Sequence, residues 1–458
     1  MMSSSERKFA AARGERRKKA AVSDDQGWLP DEMIMEVLLR LPAKSLLRFR
    51  AACRSWAALF SSEQFCGLHM ATPKAAPPRL LFVSPAATSD SSTTEVCSVS
   101  LSAGPEDDLK LFTLDSACGD SMQLLMPAPC HGLNLLLDAA APAYYVCNAA
   151  TRAVARLPVP PFPRLFVHAS AGLGFDARTR RYKVVRLIRG DHDDIESIRC
   201  EVYTHGDDVV GGGCPTDSWR PPAGGGVPLG LRRFAGAAVS DARSYNLPPV
   251  FANGFLHWSV HPLSFSKRPR AAVISFSLAD ETFDFIGPPP FWASPAPVLA
   301  SDPESIPYRD AKLEGHLVQM DNQLCMVRDL RYDGNGGYVL EIWKLPDGSP
   351  GGAWSLYHDI HLFGRVARDL RRPEVVRVIG STDGSGRLGK KIIIATSEHM
   401  ICDKFQKKVH TYDLSSESLE TILSIDEIHT SVDGITPSSR FSLFEESLAP
   451  VHRLGDHA

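Results

Sequence analysis

The chain has 458 residues, 44% of them hydrophobic and 22% charged, with a formal net charge of −3. That length exceeds one ordinary core, so two or more folded units are expected. The near-neutral balance supplies no field for a nucleic acid or membrane surface, and no run of about 18 apolar residues offers a transmembrane helix.

Residues 1–25 are small, polar and basic, and they are expected to be a disordered tail. Arg7, Lys8, Arg13, Arg16, Arg17, Lys18 and Lys19 cluster there. Such runs are ordinarily solvated tails, with a nuclear-import patch as the alternative. The segment lacks the apolar stretch of a secretory signal. The ten cysteines form no C-x-x-C pair and no zinc-binding spacing with histidines. They read as free thiols of a reducing compartment, cytoplasmic or nuclear.

Residues 28–68 change character and predict three short helices. Pro30 suits a first helical turn, and Asp31 and Glu32 follow where the helix dipole favours acids. Met33, Ile34, Val37, Leu38 and Leu41 recur at helical spacing until Pro42 stops the helix. Ser45 is the predicted cap of a second helix carrying Leu46, Leu47 and Phe49. Cys53, Trp56, Ala57 and Phe60 give a third helix its apolar face. Three such helices cannot close a core alone, so their apolar side chains must be covered by the rest of the chain or by a partner.

From about residue 79 the pattern is one of short apolar runs between Gly, Pro, Asp and Ser clusters, with no long helical period. VISFSLADETFD (273–284) and VHTYDLSSESLE (409–420) share Val first, an aromatic fourth, Leu sixth and Glu ninth, and LEIWKL (340–345) repeats the first half. Recurring hairpins of this kind predict a large all-β domain, a β-propeller of six to eight blades, with a pair of β-sandwiches as the alternative. The Gly-rich stretches 211–213 and 224–226 read as surface loops.

Several motifs suggest chemistry and lack its context. Residues 384–391 satisfy G-x-G-x-x-G, but Lys391 stands where a phosphate loop needs Ser or Thr, and a strand follows instead of a helix. His192 sits in an acidic loop without the length or glycine of a calcium loop. Cys130 and His131 are adjacent, which on a strand points them to opposite faces. The β-region tryptophans, Trp219, Trp258, Trp292, Trp343 and Trp354, read as core residues, with a role at a substrate surface as the alternative. No catalytic constellation, metal site or cofactor is expected.

The 28–68 segment resembles the F-box: Leu29-Pro30, Ile34 to Leu38, Arg40-Leu41-Pro42, Ser45-Leu46, Arg48-Phe49-Arg50 and Cys53-Arg54-Ser55-Trp56, with Ala52 where many members carry Val. The remainder resembles the plant F-box-associated domain. The matching pieces include Cys130-His131-Gly132-Leu133, Asn148 to Arg152, Gly174-Phe175-Asp176, Ser218-Trp219-Arg220, and Asn253-Gly254 with His257-Trp258. Ala149 replaces a usual proline, which makes that turn less rigid.

The resemblance implies a tail at 1–25, an F-box domain at 26–68, a linker at 69–78, the β domain at 79–445 and a disordered tail at 446–458. It implies a non-catalytic substrate receptor of an SCF-type ubiquitin ligase, whose F-box docks on a Skp-type adaptor linked to a cullin–RING core. A protein substrate would be held by the β domain. The expected adaptor contacts are Leu29, Pro30, Ile34, Leu38, Leu41, Pro42, Leu46, Leu47, Phe49 and Trp56, although Trp56 and Cys53 could equally pack within the helices. A ligand-binding or enzymatic propeller, or a scaffold that degrades nothing, are the alternatives.

Overall fold

In the computed structural model the described residues are 29–72, 79–85, 92–101, 109–118, 121–141, 143–161, 169–190, 197–205, 218–261, 272–287, 289–293, 315–331, 339–346, 352–382, 390–400, 404–428 and 441–451. The basic tail, the 191–194 loop, the 211–213 glycines and the glycines of 384–389 lie outside them.

The N-terminal unit has four helices where three were expected: α1 (Asp31–Arg40), α2 (Ala43–Arg50), α3 (Arg54–Phe60) and α4 (Glu63–Ala71). The last one absorbs the start of the expected linker, and its His69 is buried. Ser62 is its cap, accepting a hydrogen bond from the Phe65 amide at 3.2 Å.

Six antiparallel sheets follow. Blade 1 is β1 (Arg79–Pro85), β2 (Thr93–Ser100) and β3 (Leu109–Asp115), completed by β23 (Phe441–Phe444). Blade 2 is β4 (Met122–Leu124), β5 (Leu133–Asp138), β6 (Ala143–Asn148) and β7 (Ala153–Arg156). Blade 3 is β8 (Ala169–Asp176), β9 (Arg181–Arg189) and β10 (Ile198–His205), whose outer edge takes a bridge from Arg220 to Val202. Blade 4 is β11 (Val250–Ala252), β12 (Phe255–Val260), β13 (Ala272–Ser277) and β14 (Phe283–Ile286). Blade 5 runs from β15 (Gly315–Met320) through β16 (Gln323–Asp329) and β17 (Val339–Lys344) to β18 (Ser355–His361). Blade 6 runs from β19 (Val375–Ser381) through β20 (Lys391–Met400) and β21 (Lys404–Asp413) to β22 (Ser418–Ile428).

The apolar clusters show why this is a ring and not a sandwich. One cluster joins blades 1 and 2 through Val96 and Leu136, and a larger one joins blades 2, 3 and 4 through Leu135, Val185 and Trp258. Others join blades 4 and 5 (Val273, Met326), 5 and 6 (Ile342, Ile394) and 6 and 1 (Ile393, Phe82). Each sheet is therefore covered on both faces. That explains continuous apolar runs such as residues 392–395 where a one-sided sheet would alternate. The fold is a six-bladed β-propeller, closed by pairing β23 from the C-terminal end with β1.

The internal repeat marks a recurring turn. Asn148, Asp176, Ser277 and Asp413 each accept a hydrogen bond from a backbone amide two or three residues on. The residue four places on, Arg152, Arg180, Glu281 or Glu417, adopts positive φ. Glu281 and Glu417 are the ninth residues of the two repeats.

Two helices contradict the expectation that the β region lacks helical periods: α5 (Arg232–Ser244) and α7 (Gly364–Arg371), with the one-turn α6 (Pro290–Ala293) between them. The buried face of α5 is Ala235, Ala238 and Val239, so its period is carried by small side chains that a search for large apolar residues passes over. Trp219, Trp258 and Trp354 are buried as expected of core residues, and Trp343 is partly buried. β19 and β20 form the hairpin expected around the glycine motif.

Candidate adaptor-docking surface

α1 carries six apolar residues among Asp31, Glu32, Glu36 and Arg40, and the structure divides its apolar side chains between two environments. Leu38 and Leu39 face inward and build a small core with Ala43, Leu46, Phe60 and Phe65. Leu29, Met33 and Val37, spaced by four residues, form an outward ridge with 55%, 53% and 55% of their surface exposed. Leu41 ends the helix in an extended conformation before Pro42, and its carbonyl is taken by Nε2 of His69 at 2.9 Å. That bond pins the end of α1 to α4.

The ten expected contact residues are therefore not equivalent. Leu29, Pro30, Pro42 and Phe49 are exposed; Ile34, Leu41, Leu47 and Trp56 are half-buried; Leu38 and Leu46 are buried. The last two hold the helices together and offer a partner no surface. Trp56 packs behind Phe49, with ring centroids 5.3 Å apart, and continues through Phe60 at 5.9 Å. Its main contact is internal, while Phe49 forms the outer edge. Met33 and Val37 were missing from the expected contacts. They belong to the same helical series as Leu38, and the sequence alone does not say which of the apolar residues of this helix the core takes. Cys53 is exposed at the start of α3, where bonding to Ser55 Oγ at 3.1 Å and to nearby backbone lowers its pKa.

The rest of the chain seats this unit firmly. The expected disordered tail is overturned for residues 446–451: Ser447, Leu448 and Ala449 are buried, and Leu448 completes the core of the helical unit. Ser45 is not the cap of α2. The helix begins at Ala43, and the Glu446 carboxylate accepts from the Ala43 amide at 3.3 Å. Asn148 Nδ2 donates to the carbonyls of Ser447 and Ala449, at 3.0 and 2.9 Å. Its Oδ1 meanwhile accepts from the Ala150 and Thr151 amides, which fixes the turn that lacks a proline. Glu445 accepts from the Gly132 amide at 2.9 Å. Gly132 lies at φ +79, and a Cβ there would meet Ser447 at 2.2 Å, so the glycine is required by both conformation and space. On the other flank Arg180 reaches Glu63 at 3.4 Å, an exposed pair that contributes little beyond placement.

Cys130 and His131 form no nucleophilic pair. Burial drives the Cys130 thiol well above its ordinary range and lowers the His131 pKa, and the His131 ring packs edge-on to Phe175 and Phe251. An F-box family model matches residues 28–66. The helical unit is an F-box domain. Beyond the F-box, the chain is similar to two F-box/kelch-repeat proteins of Arabidopsis thaliana. One is 22% identical over 342 residues, 69% of either chain; the other is 23% identical over 350 residues, 73% of this chain and 71% of its own. A shorter match, to an F-box protein of the same plant, is 46% identical over 54 residues, 12% of each chain. Among solved structures, a chain of a nidogen/laminin complex overlays 81% of this chain and 99% of its own, at 11% identity and a TM-score of 0.34. The propeller assignment rests on strand pairing and the ring of cores. An F-box joined to a propeller supports a substrate-adaptor role.

Proposed function

We propose that this chain is a non-catalytic substrate receptor of an SCF-type ubiquitin ligase, acting in the cytoplasm or nucleus. The observation that carries the proposal is the exposed apolar ridge of Leu29, Met33 and Val37, with Phe49, on an F-box whose core Leu448 already completes. Burying such a ridge contributes roughly 1.5–3 kcal/mol per large side chain, and a Skp-type adaptor is the partner that F-box domains generally take. Through it the chain joins a cullin–RING core.

The turns that meet the F-box, around Ala150 and Arg180, lie at one end of the propeller. The connections that pass from one blade to the next, including those holding α5 and α7, reach the other end. On this reading the receptor surface is that end, where a bound protein projects away from the ligase core. Affinity capture of the full chain with proteasome activity blocked is the test. Recovery of the adaptor together with a partner that accumulates on depletion of this chain supports the proposal. Recovery of the adaptor with a partner of unchanged abundance favours a non-degradative scaffold.

A further inference from the structure

Buried cations in this propeller are matched by carboxylates at three places. Lys183 lies 2.9 Å from both Asp176 and Glu281, Arg186 lies 3.0 Å from Glu201, and Arg331 lies 2.7 Å from Asp329. These pairs leave no charge uncompensated. Arg377 is different. It is 8% exposed and sits on β19, the innermost strand of blade 6. Its Nη2 donates to the carbonyl of Tyr245, its Nε is buried without an acceptor, and no carboxylate stands within ion-pair reach of it among the described residues.

The polar groups around it are engaged with other partners. His316, on the innermost strand of blade 5, is held neutral by burial and by the nearby Arg377, with its pKa down at about 3. Its Nε2 accepts from the Val378 amide at 3.0 Å, so the ring is spent on the backbone. Tyr245 is stacked on His261 at 4.8 Å, and Asp241 is turned to the His261 amide at 2.8 Å. Burial lowers Arg377 itself to about 10, which leaves it protonated at neutral pH. A guanidinium held in this state retains donors in a fixed fork that matches a carboxylate.

The location is the end of the propeller opposite the F-box. β19 starts at Val375, arriving from the blade 5 to blade 6 connection, and Tyr245 stands in the connection from blade 3 to blade 4. Val375 shares a strand face with Arg377 and is 40% exposed; Phe363, before α7, is 68% exposed. Arg377 thus stands two residues inside a partly exposed strand start, a cation with no carboxylate partner among the described residues.

We propose that Arg377 anchors a carboxylate-binding site at this end of the propeller. The site takes an acidic side chain or terminal carboxylate of a recruited peptide, which rests on the receptor reading above. A free small dicarboxylic acid offers the same chemistry, and the test separates the two sources. Adaptor capture plays no part in it, so failure of this inference is distinguishable from failure of the receptor reading.

The test is thermal unfolding of the full chain with millimolar succinate, with succinamide as the uncharged control, and with a blocked Gly-Glu-Gly peptide against its Gly-Gln-Gly twin. Either carboxylate is expected to raise Tm by about 2 °C or more over its amide control. Arg377→Met is expected to abolish that rise while leaving the free chain as stable as the wild type or more so, because it removes an uncompensated buried charge. A larger rise with the peptide supports the peptide source, and a larger rise with succinate overturns it in favour of a free acid. Should Arg377→Met fail to fold, Arg377→Lys, which lacks the fork, is expected to weaken the response. No carboxylate-specific rise in the wild type, or an equal rise in the variant, overturns the site.

Discussion

The Glu446 carboxylate caps the backbone amide of Ala43, 403 residues away in sequence. One contact thus joins the second helix of the F-box to the chain that has just closed the propeller. The F-box is seated by more than this one contact. It is held by a strap, residues 445–451, that Asn148 and Gly132 fix to blade 2. The position of the F-box on the propeller is set by this seat.

Leu448→Ala is expected to destabilise the F-box by about 2–4 kcal/mol, since it empties a site lined by Leu38, Leu46 and Phe65. Hydrogen exchange should show faster exchange in α1 and α2 with the blades unchanged. Equal acceleration across the propeller would mean that the strap belongs to the β core and not to the F-box.

Asn148→Ala removes a fully buried side chain that is the donor for two carbonyls and the acceptor for two amides. The expected cost is about 1–3 kcal/mol, read as a lower denaturant midpoint at unchanged slope. Asn148→Asp keeps the acceptor but loses the donor, so it should recover only part of the loss.

Acid should unfold this protein before its carboxylates titrate. Burial lowers His257, His261 and His410 to about 4 and His316, with Arg377 beside it, to about 3. The unfolded chain protonates its histidines near pH ~6.5, so between there and the folded values it binds more protons than the native state. Stability from these groups is full above that range and is lost as pH falls through it. Glu281 adds a later loss: burial pushes it up, but Arg220, the Ala223 amide and Lys183 outweigh that and hold it at about 2. Tm measured from pH 8 to pH 4 should be flat and then fall, and His257→Gln should flatten the descent. A Tm independent of pH between 6.5 and 4 would contradict this.

Much of this was legible in the sequence because local rules coincide with the fold. Pro42 ends α1, and the repeats at 273–284 and 409–420 are third-to-fourth strand hairpins of blades 4 and 6. What escaped depends on tertiary choice. The apolar residues of α1 spread over more than one face and carry no mark of which face meets the core, so Leu38 and Leu46 were expected at a partner surface and Met33 and Val37 were not. The tail at 446–451 has too few apolar residues to order itself, and it is ordered by a pocket built from residues far away in the chain. In α5 the helical signal lies in alanines, which are informative only once β12 is known to lie against them.

The central claim is that the outward ridge of α1 docks a Skp-type adaptor. The most direct measurement is adaptor capture by the full chain carrying Met33→Asp and Val37→Asp, set against Leu46→Asp. Both ridge residues are more than half exposed, so the double variant should keep the wild-type Tm and lose capture by at least about 100-fold. Leu46→Asp should lose capture only by unfolding the F-box, visible as a lower Tm. Wild-type capture by a folded Met33→Asp, Val37→Asp chain would contradict the account.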